Sequence, residues 1–235
     1  MNINRDILKS FKTIAVPVAL NNLLISSVSF IDMIMIGQLG ATAISAVGIG
    51  NQVFFLFTLM MFGVCSAASV FIAQFRGKKD SESVKKTVVV GLALSGASSL
   101  IFIFLSTVIP GKVMGLFTTD INVIEAGIGY LVISAVSYLF SSVTFSYGMM
   151  LRSIEKAKVP LFASVIANCI NITLNYLFIF GIWIFPEMGI KGAALATTIA
   201  RFIESGILVI TVYRTTREIA VSFNDIKNVK REFIN

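Results

Sequence analysis

The chain has 235 residues, 56% of them hydrophobic and only 13% charged, and its mean hydropathy is +0.89. Water-soluble domains carry about 25% charged residues, so this chain lacks the charge to cover a soluble globule of its size. Histidine is absent, which excludes a His proton relay, a His metal site and a His-containing triad.

A bilayer span needs about 20 mostly apolar residues at roughly 1.5 Å rise each. Six such runs follow in chain order: Ile14 to Gly37, Ala46 to Phe75, Val84 to Ile109, Ile121 to Leu151, Pro160 to Ile182 and Gly189 to Tyr213. The breaks between them have physical causes. Gly37 and Gly40 bracket a tight first loop. Gly77-Lys78-Lys79-Asp80 is a charged turn, with Ser81 as the expected N-cap of the next helix. Pro110-Gly111 stops the third run, and Pro160 suits the first turn of the fifth, where its missing N–H costs nothing. The first run is too long for a signal peptide and no small-residue cleavage site follows it, so no cleaved leader is expected.

The fold class is therefore all-α: a polytopic membrane protein, a six-transmembrane-helix bundle. Residues 1–13 read as a cytoplasmic amphipathic segment, 14–213 as the membrane lobe and 214–235 as a basic cytoplasmic tail or linker. Sixteen of the nineteen Lys and Arg fall on one side of such a bundle, in the two tails and the second and fourth loops. The other side keeps only Lys112 and Lys191, and Arg201 lies within the sixth span. The positive-inside rule then places both termini in the cytoplasm, in a bacterial inner (plasma) membrane. The net charge of +7 is thereby a set of topological anchors, and no nucleic-acid partner is expected. Cys65 and Cys169 lie within apolar runs and read as small hydrophobes rather than a pair.

Charges inside hydrocarbon cost on the order of 2.5–3.5 kcal/mol each, so their bearers usually face an interior or a cavity. Three polar stripes stand out. The first span carries Asn22, Ser26, Ser29 and Asp32, which is its sole acid. Asp32 either caps the helix end near the headgroups or faces a wet interior. The fifth carries Ser164, Asn168, Asn171 and Asn175, as helix–helix glue or as cavity lining. The sixth carries Thr197, Arg201 and Glu204. Arg201 either neutralises Glu204 at i,i+3 or faces the cavity and tunes Asp32. Asp32, Asn175 and Thr197 all lie in the outer half of the bilayer, within roughly one helical turn of each other in depth. A carboxylate, amide oxygens and a hydroxyl form a hard-oxygen set suited to a proton or Na⁺. No nucleophile–base set or metal-ligand cluster is visible, and Gly77-Lys78-Lys79 lacks the spacing of a phosphate loop. There are thus no catalytic residues and no enzyme is expected.

Taken in order, the motifs resemble the N-terminal lobe of the multidrug and toxic-compound extrusion (MATE) family. They are Ala15-Val16-Pro17, Phe30-Ile31-Asp32 and Ile36-Gly37-Gln38-Leu39-Gly40, then Ala46-Val47-Gly48 and Leu151-Arg152-Ser153 through Pro160. Asn171-Ile172 through Phe178-Ile179-Phe180-Gly181 follows, and Gly189 through Gly192-Ala193-Ala194-Leu195-Ala196-Thr197 is the most specific string. The resemblance runs from about Pro17 to Arg214. It implies one lobe of a two-lobe, twelve-helix exporter that exchanges organic, often cationic, compounds for H⁺ or Na⁺. It implies Asp32 as the ion-coupling carboxylate, assisted by Asn171, Asn175 and Thr197, with Asn22, Ser29, Asn168 and Arg201 as further cavity lining. No cofactor is implied beyond the coupling ion, and no metal beyond a possible Na⁺ at Asp32. The expected partners are a small organic substrate, the bilayer and a second six-helix lobe, which these residues do not repeat. Asn175 stands where many members have a second Asp, which favours a proton. Arg201 stands where an uncharged residue is expected. Two other readings fit the topology: a lipid-linked saccharide flippase of the same superfamily, and a non-transporting interaction module or degenerate half-transporter.

Overall fold

The computed structural model describes the backbone of residues 3–222 and of residue 225, and side chains from residue 15 onward save 24 and 25. Seven helices follow in order: α1 (Ile3–Gly37), α2 (Ala41–Gly77), α3 (Ser81–Val108), α4 (Pro110–Gly115), α5 (Ile121–Ser153), α6 (Lys158–Phe180) and α7 (Gly189–Thr215). All but α4 are long and apolar enough to cross a membrane. Their outer faces carry large exposed apolar side chains such as Phe62, Leu100 and Phe104. Exposure on that scale suits lipid and not water, and the protein is a multi-pass membrane protein.

Two local features differ from the sequence expectation. The first span, expected at Ile14 to Gly37, lies at Ala15–Gly37, and α1 runs back from it to Ile3; side chains of residues 1–14, and residues 223, 224 and 226–235 of the tail, lie outside the described residues. Asp80, not Ser81, caps α3: its carboxylate accepts from the Ser83 N–H at 3.0 Å and the Ser83 hydroxyl at 2.6 Å. These bonds hold the Asp80 carboxyl below the usual carboxylate range, because they favour its charged form. Pro110-Gly111 ends α3 as expected, but Pro110 also opens the short α4, where its fixed φ is preorganised for a helix.

α5 is the axis of the bundle, packed against α2, α3 and α7, while α6 lies mainly between α1 and α7. α1 packs mainly on α6 and meets α2 and α7 only lightly. Two glycines make tight geometry possible. Gly40 has φ +99°, which lets the chain reverse between α1 and α2. A side chain on Gly192 would sit 2.7 Å from the carbonyl oxygen of Phe178, so only glycine lets α7 approach α6 this closely.

Beyond α7 the chain turns back onto the cytoplasmic end predicted from the charge bias. Thr216 and Ile219 are buried, and Ile219 joins Ile72, Val84, Leu151, Ile154 and Val212 in one apolar cluster. Lys156 Nζ donates to the carbonyl of Thr215 (3.1 Å) and to the hydroxyl of Thr216 (3.0 Å), and Arg76 pairs with Glu218 at 3.4 Å. The first residues of the tail or linker segment thus pack as a lid over this end. Ile219→Ala should lower stability by about 2–4 kcal/mol through the cavity it leaves. Thermal unfolding in detergent checks this: an unchanged midpoint would mean that the lid is not packed.

Candidate functional site

The site forms where α1, α6 and α7 meet. Two glycines and the short α6–α7 loop fix the heights of the three helices, so residues spaced by three and four along each bring polar groups to one depth. Asp32 of α1 is half-buried, and its Oδ1 accepts a hydrogen bond from Nδ2 of Asn175 on α6 at 2.7 Å. The same Nδ2 donates to Oδ1 of Asn171, one turn back, at 3.3 Å. Asn171 Nδ2 in turn donates to the hydroxyl of Thr197 on α7 at 3.4 Å. A directional chain of hydrogen bonds thus runs from Asp32 through two amides to Thr197, tying three helices together. Turning the Asn175 amide over would set its oxygen against the carboxylate and against Asn171 Oδ1, so the N–H-inward orientation is the one the charges require.

Beside this chain lies a hollow of about 60 Å³, room for a few waters. Asp32 and Ser29 line it from α1, Asn168 and Asn171 from α6, and Thr197 and Arg201 from α7. Asn168 is buried, and its Nδ2 has no hydrogen-bond partner. Arg201 forms the i,i+3 pair, its Nη1 bonding Glu204 Oε2 at 2.6 Å, and its side chain also borders the hollow. Glu204 itself is buried.

Seven of the eight residues predicted from sequence come together in this way. Asn22 does not: it is exposed and stands outside the lining, while Asn21 beside it is buried. At about 100° per residue, Asn21 falls roughly 20° from Asp32 around α1 and Asn22 roughly 80°. The eleven-residue spacing from Asn21 to Asp32 was the signal available, and counting in steps of three and four from Asn22 overlooked it. Among the described residues no group of three or more His, Cys, Asp or Glu could hold a metal. Any cation at Asp32 would depend on amide and hydroxyl oxygens for its remaining ligands. The two cysteines lie apart: Cys65 is buried against Ser95 and Ser146, and Cys169 is exposed.

A bundle of membrane-spanning helices that encloses a carboxylate, three amides and an ion pair around a small hollow has the build of a polytopic carrier lobe. Comparison with known proteins identifies it further: the MatE family profile matches residues 17–177, and the chain belongs to that family. It is 32% identical over 232 residues to the probable multidrug resistance protein YoeA of Bacillus subtilis, covering 95% of this chain and 48% of that protein. It is 30% identical over 217 residues to the probable multidrug resistance protein NorM of Thermotoga maritima, covering 89% and 45%. The chain thus spans about half the length of the curated relatives it matches. Its fold is that of an outward-facing multidrug resistance MATE family transporter of the MOP superfamily, with a TM-score of 0.83 at 19% identity. That superposition covers 96% of this chain and 50% of the other. The fold also matches a MOP superfamily transporter from Pyrococcus furiosus, with a TM-score of 0.82 at 18% identity over 96% of this chain and 50% of that one.

The hydrogen bond between Asn175 and Asp32 can be tested directly. Asn175→Leu removes the donor from both Asp32 and Asn171 and should cost about 1–3 kcal/mol of stability, the penalty for buried polar groups left unpaired. Denaturation of the detergent-solubilised protein measures it, and no loss would mean that the bond does not form in the membrane-embedded fold.

Proposed function

We propose that this chain supplies the N-terminal six-helix lobe of a secondary active multidrug exporter, which exchanges organic, often cationic, compounds against H⁺ or Na⁺. The observation that carries the reading is the placement of Asp32. A carboxylate inside a span is met by an amide from a second helix and, through another amide, by a hydroxyl from a third. Such a group is costly in hydrocarbon and is kept where its charge state does work. The multidrug resistance names of the relatives support the same reading.

The geometry supports a coupling step of the following kind. Unprotonated, Asp32 holds Asn175 by a charge-assisted bond and keeps α1 against α6. When a proton or Na⁺ takes up the charge, that bond weakens and the outer ends of α1, α6 and α7 repack. Pro17 lies inside α1, where its missing N–H leaves a backbone carbonyl unbonded, so the helix bends there most easily. A population shift between bound and released substrate results if the ion binds the two arrangements with different affinity. A second six-helix lobe completes the substrate cavity. Both termini face the cytoplasm of a bacterial inner membrane, on the strength of the Lys and Arg bias.

Arg201 in the lining also suits a carrier of lipid-linked saccharides, whose phosphates a guanidinium binds. Vesicles loaded with a cationic dye or with a lipid-linked sugar separate the two substrates. In the whole transporter, Asp32→Asn should reduce gradient-driven dye export to background while helicity and elution in detergent stay unchanged. Export at the normal rate would remove Asp32 from the coupling step.

A further inference from the structure

Away from the helix ends, the charged residues of the described spans are few, and Asp32, Arg201 and Glu204 are gathered in one place. Arg201 is the thirteenth residue of α7, near mid-span, and its guanidinium is held by Glu204 one turn along the same helix. Glu204 is buried, with only 5% of its side chain exposed, whereas 26% of the Arg201 side chain is open. The pair is therefore anchored at its acidic end and free at its basic end. That free end borders the same hollow of about 60 Å³ as the Asp32 carboxylate. The hollow also holds a donor with no hydrogen-bond partner, the buried Nδ2 of Asn168. The guanidinium and this N–H therefore border one hollow, and the charged acceptor in the same lining is the Asp32 carboxylate.

We infer that Arg201 is the resident countercharge of Asp32, shared between Glu204 and Asp32 in alternation, and that this tethered cation makes the site one for protons rather than Na⁺. The inference deepens the exporter reading and rests on it. With Asp32 charged, one carboxylate oxygen keeps the Asn175 bond and the other turns to the guanidinium and to Asn168. With Asp32 protonated, the Asn175 bond weakens and Arg201 is left to Glu204 alone. A Na⁺ ion would need oxygens turned inward and would meet a fixed positive charge instead. The N–H groups of Asn175, which face the carboxylate, oppose it as well. The remaining charged or titratable groups near Asp32 and the pair are Tyr130 of α5, within electrostatic reach of Asp32, and Arg152 of α5, within reach of Glu204. Charged residues of α2 and α6 lie only at their cytoplasmic ends, Arg76 and Lys158. Arg201 is a positioning residue in this scheme: it acts through Asp32.

The test uses the whole transporter in proteoliposomes, with dye export driven by an imposed pH gradient or by a Na⁺ gradient at equal pH. The wild type should respond to the pH gradient alone. Arg201→Gln should move the pH midpoint of export upward by about one unit, and Arg201→Lys should restore it, because an opposite charge close by shifts a carboxylate on that scale. Glu204→Gln should move it downward, since the guanidinium then serves Asp32 alone. Damage to the fold would not shift the two variants in opposite directions. Arg201→Gln leaves Glu204 buried without its partner, so the double variant Arg201→Gln/Glu204→Gln guards against misfolding; it should keep the upward shift. Wild-type export driven by Na⁺ alone, or midpoints that stay put or move together, overturns the inference while the inactive Asp32→Asn variant still upholds the exporter. Export by Asp32→Asn overturns the exporter reading itself.

Discussion

A carboxylate in hydrocarbon has no water to solvate it, and every other feature of the site answers that constraint. Asp32 can stay charged only if N–H groups from another element reach it. Asn175 supplies them, and because one amide has two N–H bonds it ties Asp32 to Asn171 as well. Asn171 spends its own N–H on Thr197, so α7 is joined to the same chain. The string of polar groups is thus a mechanical link between three helices, and it exists because of one negative charge. Neutralising that charge weakens the first bond and loosens the others behind it.

The rest of the bundle is built to stay still while that happens. α5 carries a column of buried serines, among them Ser134, Ser137, Ser141, Ser142 and Ser146. Several return their hydroxyls to their own helix, and Ser146 bonds Ser95 of α3 at 2.9 Å. Such small residues let backbones approach closely, so packing replaces the hydrophobic effect that lipid cannot supply. In the same α2–α3–α5 packing, Phe54, Phe57, Phe102 and Tyr138 pack ring against ring. α1 rests mainly on α6, and among its polar attachments is the Asp32 bond to Asn175. The stiff part of the lobe and the part poised to move are therefore distinct, and Pro17 lies in the latter.

Much of this was legible in the sequence because membrane helices announce their ends. Glycine, proline and charged turns punctuated the apolar runs, and all six spanning helices lie within a few residues of the predicted runs at most of their ends. The start of α1 was not legible, since Arg5, Lys9 and Lys12 interrupt the apolar signal although the backbone stays helical. α4 was hidden by its length, six residues opened by the same proline that ended α3. At the site, residue type was readable and azimuth was not. Three of the stripes' polar groups were expected to converge, and they do, yet Asn22 stands about 80° of helical rotation away from Asp32. Arg201 defeated a choice between two alternatives because a long side chain satisfies Glu204 and borders the hollow together.

The end of the bundle where α7 finishes adds a constraint of a different kind. α7 carries Thr197 and Arg201 in its upper half, and its lower end is fastened by the lid that follows it. Lys156 reaches the last carbonyl of α7 from the α5–α6 loop, Ile219 is buried among α2, α3, α5 and α7 side chains, and Arg76 pairs with Glu218. A rigid helix held at one end can only tilt about that end, so a displacement of Thr197 or Arg201 is largest at the outer side. Repacking at the polar chain is then amplified towards the Gly189 end of α7 and damped at the end that the lid fastens.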